Sequence, residues 1–260
     1  MKKIKKPISI LLVFMMIVSL FAVVPFTASA ATTGKFGEGL TWNIDDDGTL
    51  TFSGSGSIPM DGFRENGDVK KVIINDSVTE LGSYAFYKCS NLTEVDIQNP
   101  TALIGKSYHF AYSSVTTVTL PEGMTTIPRA MFRGCDALTT VDLPSTITSI
   151  GDVAFMDSGL QSISVPEGVT TIPENMCRGC GALTTVDLPS TITSIEKWAF
   201  MDSGLQSISV PLGATYDRTS FQTSSLQSVT FEGRSPMTFT GGEFTFLSDA
   251  ATVYIPEGST

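Results

Sequence analysis

From Val69 onward a single six-residue pattern returns along the chain: apolar, two variable positions, apolar, one variable position, apolar. It reads Val69-Lys-Lys-Val-Ile-Ile74, Leu92-Thr-Glu-Val-Asp-Ile97, Val115-Thr-Thr-Val-Thr-Leu120, Leu138-Thr-Thr-Val-Asp-Leu143 and Leu160-Gln-Ser-Ile-Ser-Val165. It continues as Leu183-Thr-Thr-Val-Asp-Leu188, Leu205-Gln-Ser-Ile-Ser-Val210, Leu226-Gln-Ser-Val-Thr-Phe231 and, degraded, Ala250-Ala-Thr-Val-Tyr-Ile255. Successive starts lie 23, 23, 23, 22, 23, 22, 21 and 24 residues apart. A fixed beat of this length is the signature of a solenoid, in which each unit buries its apolar side chains only against its neighbours. The block Ala137 to Ser164 recurs almost verbatim as Ala182 to Ser209, so the array has grown by copying pairs of units.

The alternation at the end of each hexapeptide is that of a strand, with the fourth and sixth residues inward and the third and fifth outward. Nine such strands predict one continuous parallel sheet along the solenoid. A proline follows most strands (Pro121, Pro144, Pro166, Pro189, Pro211, Pro256) and ends the ladder, because it has no N–H to donate. Then come a short apolar segment ending in Ile127, Ile150, Ile172 or Ile195 and a segment carrying Phe86, Phe132, Phe155, Phe200 or Phe221, expected as a short helical turn. Upstream, Leu40-Thr-Trp-Asn-Ile44 and Thr49-Leu-Thr-Phe-Ser53 alternate around a turn that ends in Asp-Gly, predicting a β-hairpin cap. The predicted organisation is a signal peptide over 1–30, a hairpin cap and linker over 31–68, and a β-rich leucine-rich repeat solenoid of about nine units of about 22 residues over 69–260.

The unit L-x-x-V-x-[LI]-P-x-x-[VI]-T-x-I-x-x-x-A-F-x-x-C, seen in Leu138 to Phe155 and, with its cysteine, in Val69 to Cys89, resembles the BspA-like leucine-rich repeat family of bacterial surface and secreted proteins. The resemblance covers about residues 40–260, the hairpin included. It implies adhesion to host matrix, host cells or other bacteria; that the chain is not an enzyme is expected instead from the outward column Asp96, Asp142 and Asp187, which has nothing apolar beside it to desolvate a carboxylate. The chain departs from the asparagine-ladder repeat in placing Pro after the strand.

Composition sharpens the compartment. Met1-Lys-Lys-Ile-Lys-Lys6 is a basic leader start, Ile8 to Val24 an apolar run, and Ala28-Ser29-Ala30 a small-residue cleavage triplet, which together predict export and cleavage before Ala31. The expected location is secreted or cell-surface, with no membrane insertion after cleavage. The chain has 16 basic and 26 acidic residues; four lysines lie in the leader, so the mature part carries 16 − 4 = 12 basic groups, and its formal charge is 12 − 26 = −14. Such a surface repels nucleic acid and anionic lipid.

The outward third and fifth positions nominate a ligand-binding face: Glu94, Asp96, Thr117, Thr119, Thr140, Asp142, Ser162, Ser164, Thr185, Asp187, Ser207 and Ser209. The leading reading is an adhesin-like binding protein that engages an extracellular protein or glycan there. Two alternatives are a glycan-active enzyme using the column Asp96, Asp142 and Asp187, two units being near the carboxylate separation of an inverting glycosidase, and a passive scaffold for a further C-terminal part. No catalytic residue, metal or cofactor is assigned. Cys89, Cys135 and Cys180 occupy one repeat slot and read as buried thiols; Cys177-Arg-Gly-Cys180 leaves a local bridge or a metal open. Asp45-Asp-Asp-Gly48 reads as a solvated turn over a calcium loop, and His109 as a structural histidine.

Overall fold

The computed structural model describes residues 32–217, 219–222, 226–231 and 252–254. The leader over 1–30 and much of the last unit lie outside the described residues. The fold is a parallel β-solenoid of about eight turns, the nine hexapeptides bounding eight intervals. The described residues of Ala31–Thr260 belong to one compact unit.

The hexapeptides do stack in parallel and in register: Lys71 faces Glu94, which faces Thr117, and Ile73, Asp96 and Thr119 form the next column. The expected single sheet is, however, divided. One ladder runs through Thr32–Phe36, Leu40–Ile44, Thr49–Gly54, Lys71–Ile74, Glu94–Ile97 and Thr117–Thr119. A second joins Ser162–Ser164 to Thr185–Asp187, and a third Ser207–Val210, Ser228–Phe231 and Thr252–Tyr254. Leu138–Leu143 is not a ladder strand; it meets the following unit through the Gln161 N–H to Thr139 carbonyl bond of 2.9 Å. Both 22-residue steps of the array fall at these breaks.

The hairpin is built as the turn residues dictate. Leu40–Ile44 and Thr49–Gly54 pair antiparallel, and Asp45 Oδ1 accepts the N–H groups of Asp47 (3.0 Å) and Thr49 (2.8 Å). That commits Asp45 to the turn. Thr49–Leu50 then pairs parallel with Lys71–Val72, so the hairpin merges with the solenoid sheet. The Gly/Ser stretch expected as linker contributes a strand, Gly56–Ile58, which opens a second, shorter ladder with Val78–Leu81. Phe36 and Trp42 both lie edge-on to Phe63, at 5.3 Å from it in each case, and so cover the end of the core.

The aromatic segment is not helical. Its backbone enters the left-handed region, with φ positive, at two sites four residues apart in unit after unit: Asp61 and Glu65, Tyr84 and Lys88, Tyr108 and Tyr112, Ala130 and Gly134, Val153 and Asp157, Asn175 and Gly179, Trp198 and Asp202. Those N–H groups, with the phenylalanine N–H between them, donate to the next unit: Tyr84 to Ser107, Phe86 to His109 and Lys88 to Ala111, at 3.1, 2.8 and 2.9 Å. A helix would have turned these donors inward along the segment; here stacking takes them, which is why the period failed to predict the local structure.

Two columns fill the interior behind these turns. Phe63, Phe86, Phe110, Phe132 and Phe155 stack with ring centroids 5.3, 5.5, 5.9 and 5.9 Å apart, and Phe200 stacks on Phe221 at 6.0 Å. Cys177 occupies the intervening place. The corner that follows alternates between a two-residue form after Cys89, Cys135 and Cys180 and a one-residue form after Ser113, Ser158 and Ser203. Each of the three thiols lies against the carbonyl oxygen of Phe63, Phe110 or Phe155 (3.0, 3.2 and 3.0 Å), and Ser114, Gly159 and Gly204 donate their N–H back to the preceding cysteine carbonyl. The thiol contacts and the corner N–H bonds bridge alternate junctions, so this corner pattern repeats every second unit, the grouping in which the sequence is duplicated. All four cysteines are buried free thiols, and burial pushes Cys89 up to about 11 and Cys135 up to about 12.

Candidate functional site: the strand face

Every nominated position lies on the outer side of the strand layer. Asp96 is half-buried and the other eleven are exposed. The ladders bring them together in groups: Glu94 and Asp96 beside Thr117 and Thr119, Ser162 and Ser164 beside Thr185 and Asp187, and Ser207 and Ser209 beside Ser228 and Thr230. Thr140 and Asp142 stand between the first two groups, on the unit that is not a ladder strand.

Side-chain bonding sorts the hydroxyls in a way that spacing alone did not reveal. At the second hexapeptide position Thr93, Thr116 and Thr184 donate to the carbonyls of Lys70, Thr93 and Gln161, one unit back, at 3.2, 3.1 and 3.3 Å. Those hydroxyls hold the stack. At the third and fifth positions the side chains of Thr117, Thr119, Thr140, Ser162, Ser164, Thr185, Ser207 and Ser209 make no hydrogen bond among the described residues. Each keeps one donor and two acceptor sites for solvent or ligand.

The charged members differ along the face. Glu94 pairs with Lys71 at 2.8 Å, and the hydrogen bond and attraction of Glu94, with a smaller pull from Asp96, raise the lysine above its ordinary value. Asp96 accepts from Gln98 Nε2 at 2.9 Å. Asp142 and Asp187 are exposed. A glycosidase acid needs a carboxyl taken out of water, and the environment of these two gives none.

The turn edge carries aromatic and guanidinium groups that the twelve nominated positions do not. Tyr84 stacks on Tyr108 at 4.8 Å, Tyr87 meets Tyr112 edge-on at 5.6 Å, and Arg64 and Arg133 sit over Tyr87 and Tyr112 at 4.8 and 5.7 Å. Sequence reasoning passed over these residues because they are not periodic in type, although their two-column spacing was there to be read. His109 is wholly buried nearby, and burial holds it down at about 4, weakly opposed by the Leu81 backbone.

A family model for the BspA-type leucine-rich repeat region matches in six copies, over residues 56–180, 104–227 and 170–260. Among solved structures, a leucine-rich cell surface protein of Faecalibacterium prausnitzii is 26% identical over 77% of this chain and 54% of its own, with a TM-score of 0.51. A leucine-rich repeat protein of Eubacterium ventriosum is 20% identical over 87% and 68%, TM-score 0.60. One of T. pallidum is 20% identical over 66% and 85%, TM-score 0.50. The chain thus spans about half the length of the first of these. No curated protein matches it.

Proposed function

We propose, from the premise that this chain belongs to the BspA-type leucine-rich repeat family, that it is an exported, adhesin-like binding protein and not an enzyme. Its strand face meets an extracellular protein or glycan. The observation that carries this reading is the division of the hydroxyls: Thr93, Thr116 and Thr184 are committed to backbone carbonyls, while the Thr and Ser side chains of the third and fifth positions from Thr117 to Ser209 are open and recur from unit to unit. The cell-surface protein of F. prausnitzii, 26% identical, supports the location, as does the leader expected to be cleaved before Ala31.

Contacts on such a face are spread over several units, and the twelve nominated positions include no Trp, Tyr or Arg anchor of the kind that dominates tight interfaces. Monovalent affinity is then weak, on the order of micromolar, and display in many copies supplies avidity. The acidic balance favours basic partners, and salt weakens that term. The test is binding to a panel of immobilised extracellular matrix proteins at two salt concentrations. Thr140→Lys with Asp142→Lys, and Thr185→Lys with Asp187→Lys, each reduce binding partially, the four together abolish it, and Arg178→Glu on the turn edge does little. Normal binding by the fourfold variant, with loss in Arg178→Glu, would sink the proposal.

A further inference from the structure

The second unit breaks the repeat between its strand and its aromatic turn. Where its neighbours carry the short strands Val78–Leu81 and Thr126–Ile127, residues 99–107 form an irregular loop, closed by Gly105 at φ +73. The loop stands away from Thr126–Ile127 and leaves a cavity of about 280 Å³ between them. Pro100, Leu103, Ile104 and Pro128 form its apolar walls, and Lys106 and Arg129 belong to its lining. Ile104, in that wall, is 65% exposed, an unusual degree for a branched aliphatic side chain.

Size and charge narrow the occupant. The slot lies at the lower end of the range for ligand pockets, about 300 to 1,000 Å³, and has room for one bulky side chain. Lys106 and Arg129 are among the residues that line the slot, whereas the acids they pair with, Glu80 and Asp152, are not. Lys106 Nζ meets Glu80 at 3.0 Å and Arg129 Nη1 meets Asp152 at 2.8 Å. One contact each leaves further N–H donors on both cations, and all four side chains are about half exposed. An apolar slot with cations beside it is the geometry of an anchor site.

We infer that this slot is a second binding site, separate from the strand face, which receives one large apolar side chain flanked by carboxylates on a partner protein. The probe is the acetylated, amidated tripeptide Glu-Phe-Glu, titrated into the ¹⁵N-labelled chain beginning at Ala31, with Lys-Phe-Lys and Glu-Ala-Glu as comparisons. Amide shifts are expected at residues 103–106 and 125–129, saturating in the millimolar range, with both comparison peptides at least about tenfold weaker. Lys106→Gln with Arg129→Gln weakens the acidic peptide toward the level of Lys-Phe-Lys. Thr126→Trp, which fills the slot from an exposed strand position, removes the response while the rest of the spectrum shows an intact fold. Equal binding of the three peptides, shifts that survive Thr126→Trp, or no response by about 10 mM overturns the assignment. Thr140→Lys with Asp142→Lys leaves this titration unchanged, so its outcome is independent of the strand-face assay.

Discussion

Replacing Cys177 by phenylalanine is expected to stabilise the solenoid. The phenyl column runs unbroken from Phe63 to Phe155 and resumes at Phe200, with Cys177 holding the place that Phe132 holds in the preceding pair of units. The slot is not pinched. Inter-unit bonds on either side, from Phe155 N–H to Met176 O and from Cys177 N–H to Ala199 O, are 3.0 and 2.8 Å, against 3.1 and 2.9 Å for the equivalent bonds around Phe132. A phenyl in place of a thiol hides on the order of 70 Å² more apolar surface, about 1.5–2 kcal/mol. New stacking on Phe155 and Phe200 adds about 0.5–1.5 kcal/mol each, and adjustment of neighbours in a packed core takes back about 1–3 kcal/mol. The expected net gain is about 2 kcal/mol, read as a rise in the guanidinium midpoint at unchanged slope and about 4–8 °C in Tm. Phe132→Cys is the mirror experiment, expected to cost about 2 kcal/mol or more. A Cys177→Phe variant that loses more than about 1 kcal/mol would show that neighbouring side chains have closed the slot, refuting the argument that backbone spacing reports available room.

His109 makes the fold sensitive to acid. Its folded pKa, about 4, lies below the unfolded value near 6.5, so the unfolded chain takes up the proton first; the stability it contributes is intact above 6.5 and is lost as pH falls toward 4, by about 3 kcal/mol. His109→Met, copying Met131 one unit on, should flatten urea midpoints measured across that window; an unchanged slope against pH would exclude His109 as the cause. Gly159 and Gly204 sit at the one-residue corners, where a Cβ would clash with the carbonyl oxygens of Asp136 and Gly181. Gly159→Ala and Gly204→Ala should each cost about 1–3 kcal/mol through overpacking, while Ala137→Gly at a two-residue corner changes the midpoint little; equal effects would contradict the corner model.

The solenoid, its register and the outward strand residues were legible in the sequence, because a side-chain period of two on a backbone repeat of 22 or 23 residues admits one alignment that turns the leading, fourth and sixth residues of the hexapeptides inward together. Slipping Val95 or Ile163 by one residue would bring Asp96 or Ser164 into the core. The remaining features depend on contacts between units, which no single repeat encodes. Tyr84, Lys88 and Val153 adopt left-handed conformations where a helix was expected, because the next unit's carbonyls take their N–H groups. The division of the strand face into three ladders, the commitment of Thr93, Thr116 and Thr184 to backbone carbonyls, and the cavity beneath Ile104 likewise follow from how neighbouring turns meet. Local pattern selects which side chains are inside; the stacking of whole units decides which polar groups are satisfied there and which are left for a partner.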